Sequence, residues 1–330
     1  MPRCQIDESL KRVEVDGFSF PLGVYPVEPM VPRPGYRTDF EPADGGGDDA
    51  QWEEWPDRYV FEVVIRSERL EPLVRALLGL LPGRIYPILD VLGRDAYREV
   101  DPYISYDLLG LDRFMDAFRR FRPFFLEDGL CGFGAMADEP FLYFFLDEHK
   151  IITLRCETQT KERVERVLSA FDLELVEEPA GADAAAHEHR PVLFTPDDRL
   201  DLLDEDEITE YLRDEWRLVL NVDPDSNLDE EGRELGFTPW HCVVRCHKDR
   251  AAAPRYIDVL LRARNLRQAE DLAFDAAEEL TRDDPDWEDA AVVQCDRIDQ
   301  GTFAQWADTQ KQPQLLKTDE AGIIFSRWIE

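Results

Sequence analysis

The stretch Phe141-Leu142-Tyr143-Phe144-Phe145-Leu146-Asp147-Glu148-His149-Lys150-Ile151-Ile152-Thr153-Leu154-Arg155-Cys156 carries the clearest local signal in the chain. Two runs rich in aromatic and β-branched residues flank only four polar residues, and side chains of this kind pack best on a pleated surface. So short a connection joins neighbouring antiparallel strands, because a parallel pair needs a crossover of about a dozen residues or more. The spacing predicts a hairpin.

Working outward towards the N-terminus, Leu130 to Met136 reads as a strand, and Leu111 to Phe121 as a helix with Phe114, Ala117, Phe118 and Phe121 on one face. Tyr59 to Ile65 is extended, Glu68 to Leu81 has helical apolar spacing, and Arg84 to Leu92 and Tyr103 to Leu108 are extended again. The order β-α-β-β-α-β is that of a ferredoxin-like sandwich. Towards the C-terminus, Lys161 to Phe171 follows as a helix and Leu173 to Val176 as a short strand. Trp216 to Val222, Trp240 to Cys246, Tyr256 to Ala263, Ala290 to Cys295 and Gly322 to Trp328 read as strands, with helices at Arg267 to Thr281 and near Thr302 to Asp308. The fold class expected is α+β, with tandem ferredoxin-like α/β-sandwich modules and mainly antiparallel sheets.

Composition sets the boundaries. Residues 1–57 carry eight prolines and the run Gly45-Gly46-Gly47, which resist regular structure and read as an arm with a mobile tip. A first domain spans 58–178, an acidic linker with one helix spans 179–215, and a second α+β domain spans 216–330. A chain of 330 residues with 44% hydrophobic content has enough apolar material for sizeable cores.

The formal charge is -34, from 72 acidic and 38 basic residues, only six of them lysine. Charge of this sign argues against contact with nucleic acid or an anionic membrane, both of which attract basic surfaces. The acids are spread along almost the whole chain, which points to adaptation of the entire surface. No apolar run approaches the roughly 20 residues of a spanning helix, and Met1 to Glu8 lacks the apolar segment of a secretory signal. A cytoplasmic setting is expected, with the six cysteines as reduced thiols, mostly buried.

Few segments carry chemistry. In Asp223 to Glu234, oxygen-bearing Asp223, Asp225, Asn227 and Glu234 fall at positions 1, 3, 5 and 12 of an EF-hand-like spacing, with Asp229 between them. Leu228 replaces the glycine such a loop needs for its sharp turn, so a looser site for calcium or another hard divalent cation is the cofactor the sequence suggests. His187 and His189 form a His-x-His pair inside the expected linker, where a solvated role is the ordinary one. Cys242 and Cys246 lie on one strand face about 13 Å apart at roughly 3.3 Å per residue, too far to share an ion. Asp147, Glu148 and His149 read as a charged turn. Arg119, Arg120 and Arg122, beside Phe118 and Phe121, read as a helix end whose cations complement the dipole. Gly129, Gly132 and Gly134 fit no phosphate-binding spacing and read as close packing in a strand. The function expected is a non-enzymatic binding or regulatory module with a protein partner. The alternatives are a metal-assisted hydrolase using Asp and Glu ligands of the second domain, and a structural component of an assembly.

Overall fold

A computed structural model describes residues 2–43, 56–196, 198–199, 201–248, 254–284, 286–287, 289–309 and 320–329. The chain forms two compact units, one of residues 1–92 with 102–221 and one of residues 93–101 with 222–330. Seven α-helices and mostly antiparallel sheets make it an α+β protein among the described residues.

In the first unit the strands are β1 (Glu14–Val15), β2 (Phe18–Ser19), β3 (Val24–Pro26), β4 (Gly35–Glu41), β5 (Arg58–Val64), β6 (Arg84–Leu92), β7 (Val100–Ile104), β8 (Leu109–Gly110), β9 (Cys131–Asp138), β10 (Phe141–Leu146), β11 (Ile152–Cys156), β12 (His187–His189) and β13 (Val219–Leu220). The helices are α1 (Ser67–Leu78), α2 (Leu111–Arg120), α3 (Arg122–Glu127), α4 (Thr158–Ala170) and α5 (Glu205–Trp216). The expected hairpin is β10–β11, in register from Leu142 opposite Cys156 to Leu146 opposite Ile152. It sits inside a large sheet of order β13-β7-β6-β9-β10-β11-β5-β4.

Period-two alternation decides which face is covered. Leu142, Phe144, Leu146, Ile152, Leu154, Phe61, Val63, Phe133 and Ala135 are fully buried against apolar residues of α1 to α5. Trp216, the last residue of α5, stacks on Phe114 and Phe125 with ring centroids 4.7 and 5.8 Å away. Its helix begins with a capping box, in which Asp204 accepts from the Glu207 amide and Glu207 accepts from the Asp204 amide.

Several expectations change here. A split βαβ unit has one strand between its two parallel strands, whereas β5 and β6 are separated by β9, β10 and β11. The hairpin has taken the interior positions, because all six of its inward side chains need covering, so the ferredoxin-like order is not what the sheet shows. Trp216 ends a helix and does not start a strand, since its ring completes the helical layer. Leu173 to Val176 makes only a single bridge, Leu175 to Tyr36, and forms no strand. The Pro-rich segment supplies β1 to β4, and β4 pairs along its full length with β5. The Gly45-Gly46-Gly47 tip lies outside the described residues.

In the second unit β14 (Thr238–His247), β15 (Arg255–Ala263), β16 (Asp289–Arg297) and β17 (Gly322–Trp328) form an antiparallel sheet of order β16-β14-β15-β17. Helix α6 (Leu266–Thr281) presents Ala269, Ala273 and Ala276 to one face, and Phe303 of α7 (Gln300–Thr309) is buried with Leu260 on the other.

Candidate functional site

The turn between β10 and β11 is fixed by its own backbone and by Asp147. Its carboxylate accepts from the Ile151 amide at 2.7 Å, while Lys150 adopts a left-handed conformation with φ 63°. This tight geometry turns the His149 ring out of the strand line, beside the carboxylates of Asp147 and Glu148, which lie 3.6 and 3.4 Å from Nδ1.

The expected linker meets this turn. His187 to His189 form β12, antiparallel to β3, with Glu188 opposite Tyr25 and bonded to its hydroxyl at 2.6 Å. In a strand, residues two apart share a face, so His187 and His189 point together and Glu188 points away. A crossing of two backbones sets the position of β12. The Gly23 amide donates to Glu127, the Gly129 amide donates to Arg190, and the Arg190 amide donates to Gly23. A side chain at Gly129 would come within 2.0 Å of the Gly23 carbonyl oxygen, so only glycine allows the approach.

Three imidazoles converge as a result. Their ring centroids are 4.8, 4.9 and 5.0 Å apart, and one ring nitrogen of each lies within 4.8 Å of one nitrogen of the other two. His189 Nδ1 donates to the Gly129 carbonyl at 2.7 Å, and His187 Nδ1 donates to the Ala185 carbonyl at 2.8 Å. A carbonyl can only accept, so both rings carry a proton on Nδ1, and in the neutral form of each ring the Nε2 lone pair is free. His149 Nε2 lies 3.0 Å from His187 Nε2. With the His187 nitrogen bare, His149 must supply the proton in that contact.

The electrostatics agree with this assignment. For His149, burial disfavours the cation, but hydrogen bonding to Asp147 and the charges of Asp147 and Glu148 outweigh it and raise the pKa above the ordinary histidine value. For His189, burial comes first and the neighbouring imidazoles add to it, so its pKa is lowered despite the Gly129 contact. The cluster therefore holds one ring prone to protonation and one that stays neutral.

The donor set suits a transition ion. Zinc at about 2.0 to 2.1 Å from each nitrogen of a tetrahedral site places the nitrogens about 3.3 to 3.4 Å apart, close to the 3.0 Å of the His149 and His187 pair. Carbonyl and carboxylate partners on the far ring nitrogens are the usual outer shell of such a centre. Three protein ligands leave a fourth position for water.

Asp90 lies on the sheet face opposite the helices. It pairs with Gly132 of β9, and the Cα of Asp147 lies just beyond, so both acids are on one row across the sheet. Burial first, and then the charge of Glu148, push its carboxyl up to about 7.

The acidic loop of the second unit uses its oxygens differently. Asp225 forms a two-point ion pair with Arg267 at 2.6 and 2.9 Å, and Asp229 is bound by the Arg233 side chain and by the amides of Glu231 and Arg233. Asn227, 2% exposed, donates to Gly236 and Thr238 and accepts from Arg297. Asp223 accepts from the Asp225 amide, and Leu228 bridges Glu234 through the backbone. Arginines thus pair with three of the five residues. The groups of three or more histidine, cysteine or acidic side chains that converge among the described residues are His149 with His187 and His189, and Asp147 with Glu148 and His149. The signal in sequence was the His-x-His pair; its third member lies 38 positions away and nothing in the local pattern links them.

Comparison with models of protein families, with curated proteins and with solved structures finds no match to this chain.

Proposed function

We propose that this protein binds one divalent transition ion, zinc in preference, through Nε2 of His149, His187 and His189, and that it is a metal-assisted hydrolase. The reading rests on one observation, the convergence of three rings of which two are fixed by backbone carbonyls in the tautomer that frees Nε2. Neutral imidazole favours ions of the zinc, copper and nickel type over the hard calcium ion suggested by the acidic loop. Structural zinc sites are closed by four protein ligands, while three-ligand sites activate a water whose pKa falls to about 7. Imidazole is therefore the expected ligand set here in place of the Asp and Glu of the second domain, and an open position favours hydrolysis over a purely regulatory module.

Elemental analysis of protein reconstituted with zinc and dialysed tests the site. One ion per chain is expected, with loss of binding in His149→Ala and His189→Ala and retention in Asp225→Asn. Binding displaces the His149 proton, so near neutral pH metal uptake releases protons, measured as a dependence of the calorimetric heat on buffer. Absence of metal after reconstitution, or equal retention in the histidine variants, overturns the site. Hydrolysis of a panel of carboxylic and phosphoric esters, abolished by chelation, tests the activity. A loaded protein that cleaves none of them leaves the metal and removes the hydrolase.

A further inference from the structure

Cys242 on β14 and Cys295 on β16 are directly opposite in an antiparallel register, and their sulfurs lie 3.3 Å apart. Opposed residues of such strands have Cα atoms about 4.5 or 5.5 Å apart, inside the range of about 4.4 to 6.8 Å that a disulfide spans. Closing the gap to a bond of about 2.05 Å needs side-chain rotation and a small strand movement. The pairing shifts at Val243 and Val244, next to Cys242, so the ladder is already irregular where that movement falls. Cys242 is fully buried, whereas Cys295 is partly exposed and β16 is an edge strand of the sheet. Cys295, on the edge strand, is thus the less buried residue of the two. Cys246, on the same face of β14, is opposite Ala290 and has no such partner.

We infer that Cys242 and Cys295 are a site of reversible disulfide formation, oxidised by low-molecular-weight disulfides. In the first step the Cys295 thiolate attacks one sulfur of the reagent, forming a mixed disulfide and expelling one small thiolate. In the second the Cys242 thiolate attacks Cys295 Sγ and expels the other. Two protein thiols are oxidised, one reagent disulfide is reduced, and the two protons end on the two small thiols. Burial, then the adjacent Cys242 sulfur, then the charges of Glu270 on α6 and of Asp296 hold the Cys295 thiol well above its ordinary pKa. The Cys295 thiol is thus protonated at neutral pH, and the reaction is best followed in mildly alkaline buffer. The bond would tie the edge strand β16 to β14.

The test uses the full chain with oxidised glutathione, followed by alkylation under denaturing conditions and peptide mass mapping. Of the six cysteines, two are expected to leave the free-thiol pool together, as one linked peptide pair containing Cys242 and Cys295, restored by dithiothreitol. Cys246→Ser should behave as the parent, and Cys242→Ser should stop at a glutathione adduct on Cys295. Six free thiols after exposure, a link between other cysteines, or persistent glutathione adducts in the parent protein would each overturn the inference. Because each outcome is read from peptide masses, it stands apart from metal binding in the first unit.

Discussion

At the scale of single residues, the chemistry turns on which protons the fold retains. His149 holds a proton that a metal ion would displace, because Asp147 and Glu148 face its other nitrogen. Asp90 holds one for the opposite reason. It is largely buried and lies near the charge of Glu148, so its carboxyl is raised from an ordinary 3.8 to about 7. A group raised in the folded state binds its proton more tightly there than in the unfolded chain, so its contribution is present below about pH 4 and is lost as pH climbs to about 7. The loss is on the order of 4 to 5 kcal/mol at about 1.4 kcal/mol per unit. Asp90→Asn, which mimics the neutral acid, should melt with the parent near pH 4 and several degrees above it at pH 8. Equal melting of the two proteins at pH 8 would show that the charge of Asp90 carries no penalty. Neither role is written in the local sequence, since each depends on neighbours from other strands.

At the scale of elements, the excursion 93–101 shows how one side chain can assign a segment to a unit. The segment follows β6 in the chain but packs with the second unit, held by Asp95. Its carboxylate accepts from Arg297 Nε and from the Arg297 amide, while Arg297 Nη1 donates to Asn227 and Leu228. Both side chains are almost wholly buried, with exposures of 6% and 0%. Removing one partner strands the other charge in a low-dielectric setting, which typically costs about 3 to 5 kcal/mol. Asp95→Ala should lower the unfolding free energy of the second unit by that amount, with a lower denaturation midpoint, and hydrogen exchange should rise over 93–101 first. An unchanged midpoint would mean that the pair merely balances its own desolvation. The elements themselves were largely legible: the hairpin, α1, α2, α4, α6 and β17 follow from periodicity, because each buries one stripe or face. Strand β12 was not legible, because three polar residues acquire a ladder only when β3 is beside them.

At the scale of the whole molecule, the net charge of -34 is the dominant property. Self-repulsion of that size weakens the compact state, and salt screens it over about 10 Å at 0.1 M. Thermal melting should therefore rise steadily with potassium chloride, and a flat response would mean that local ion pairs such as Asp225 with Arg267 already offset the repulsion. No helix among the described residues is long and apolar enough to cross a membrane. Alone, the sequence determined the charge, the α+β class, the hairpin and most element boundaries, since these depend on residue type and on spacings of two or 3.6 residues. Only the tertiary structure decided the strand order, the pairing of 93–101 with the second unit, the meeting of Cys242 with Cys295 and the joining of His149 to His187 and His189. Those contacts link residues tens to hundreds of positions apart, and a local pattern carries no information about which distant backbone a sheet will place alongside it.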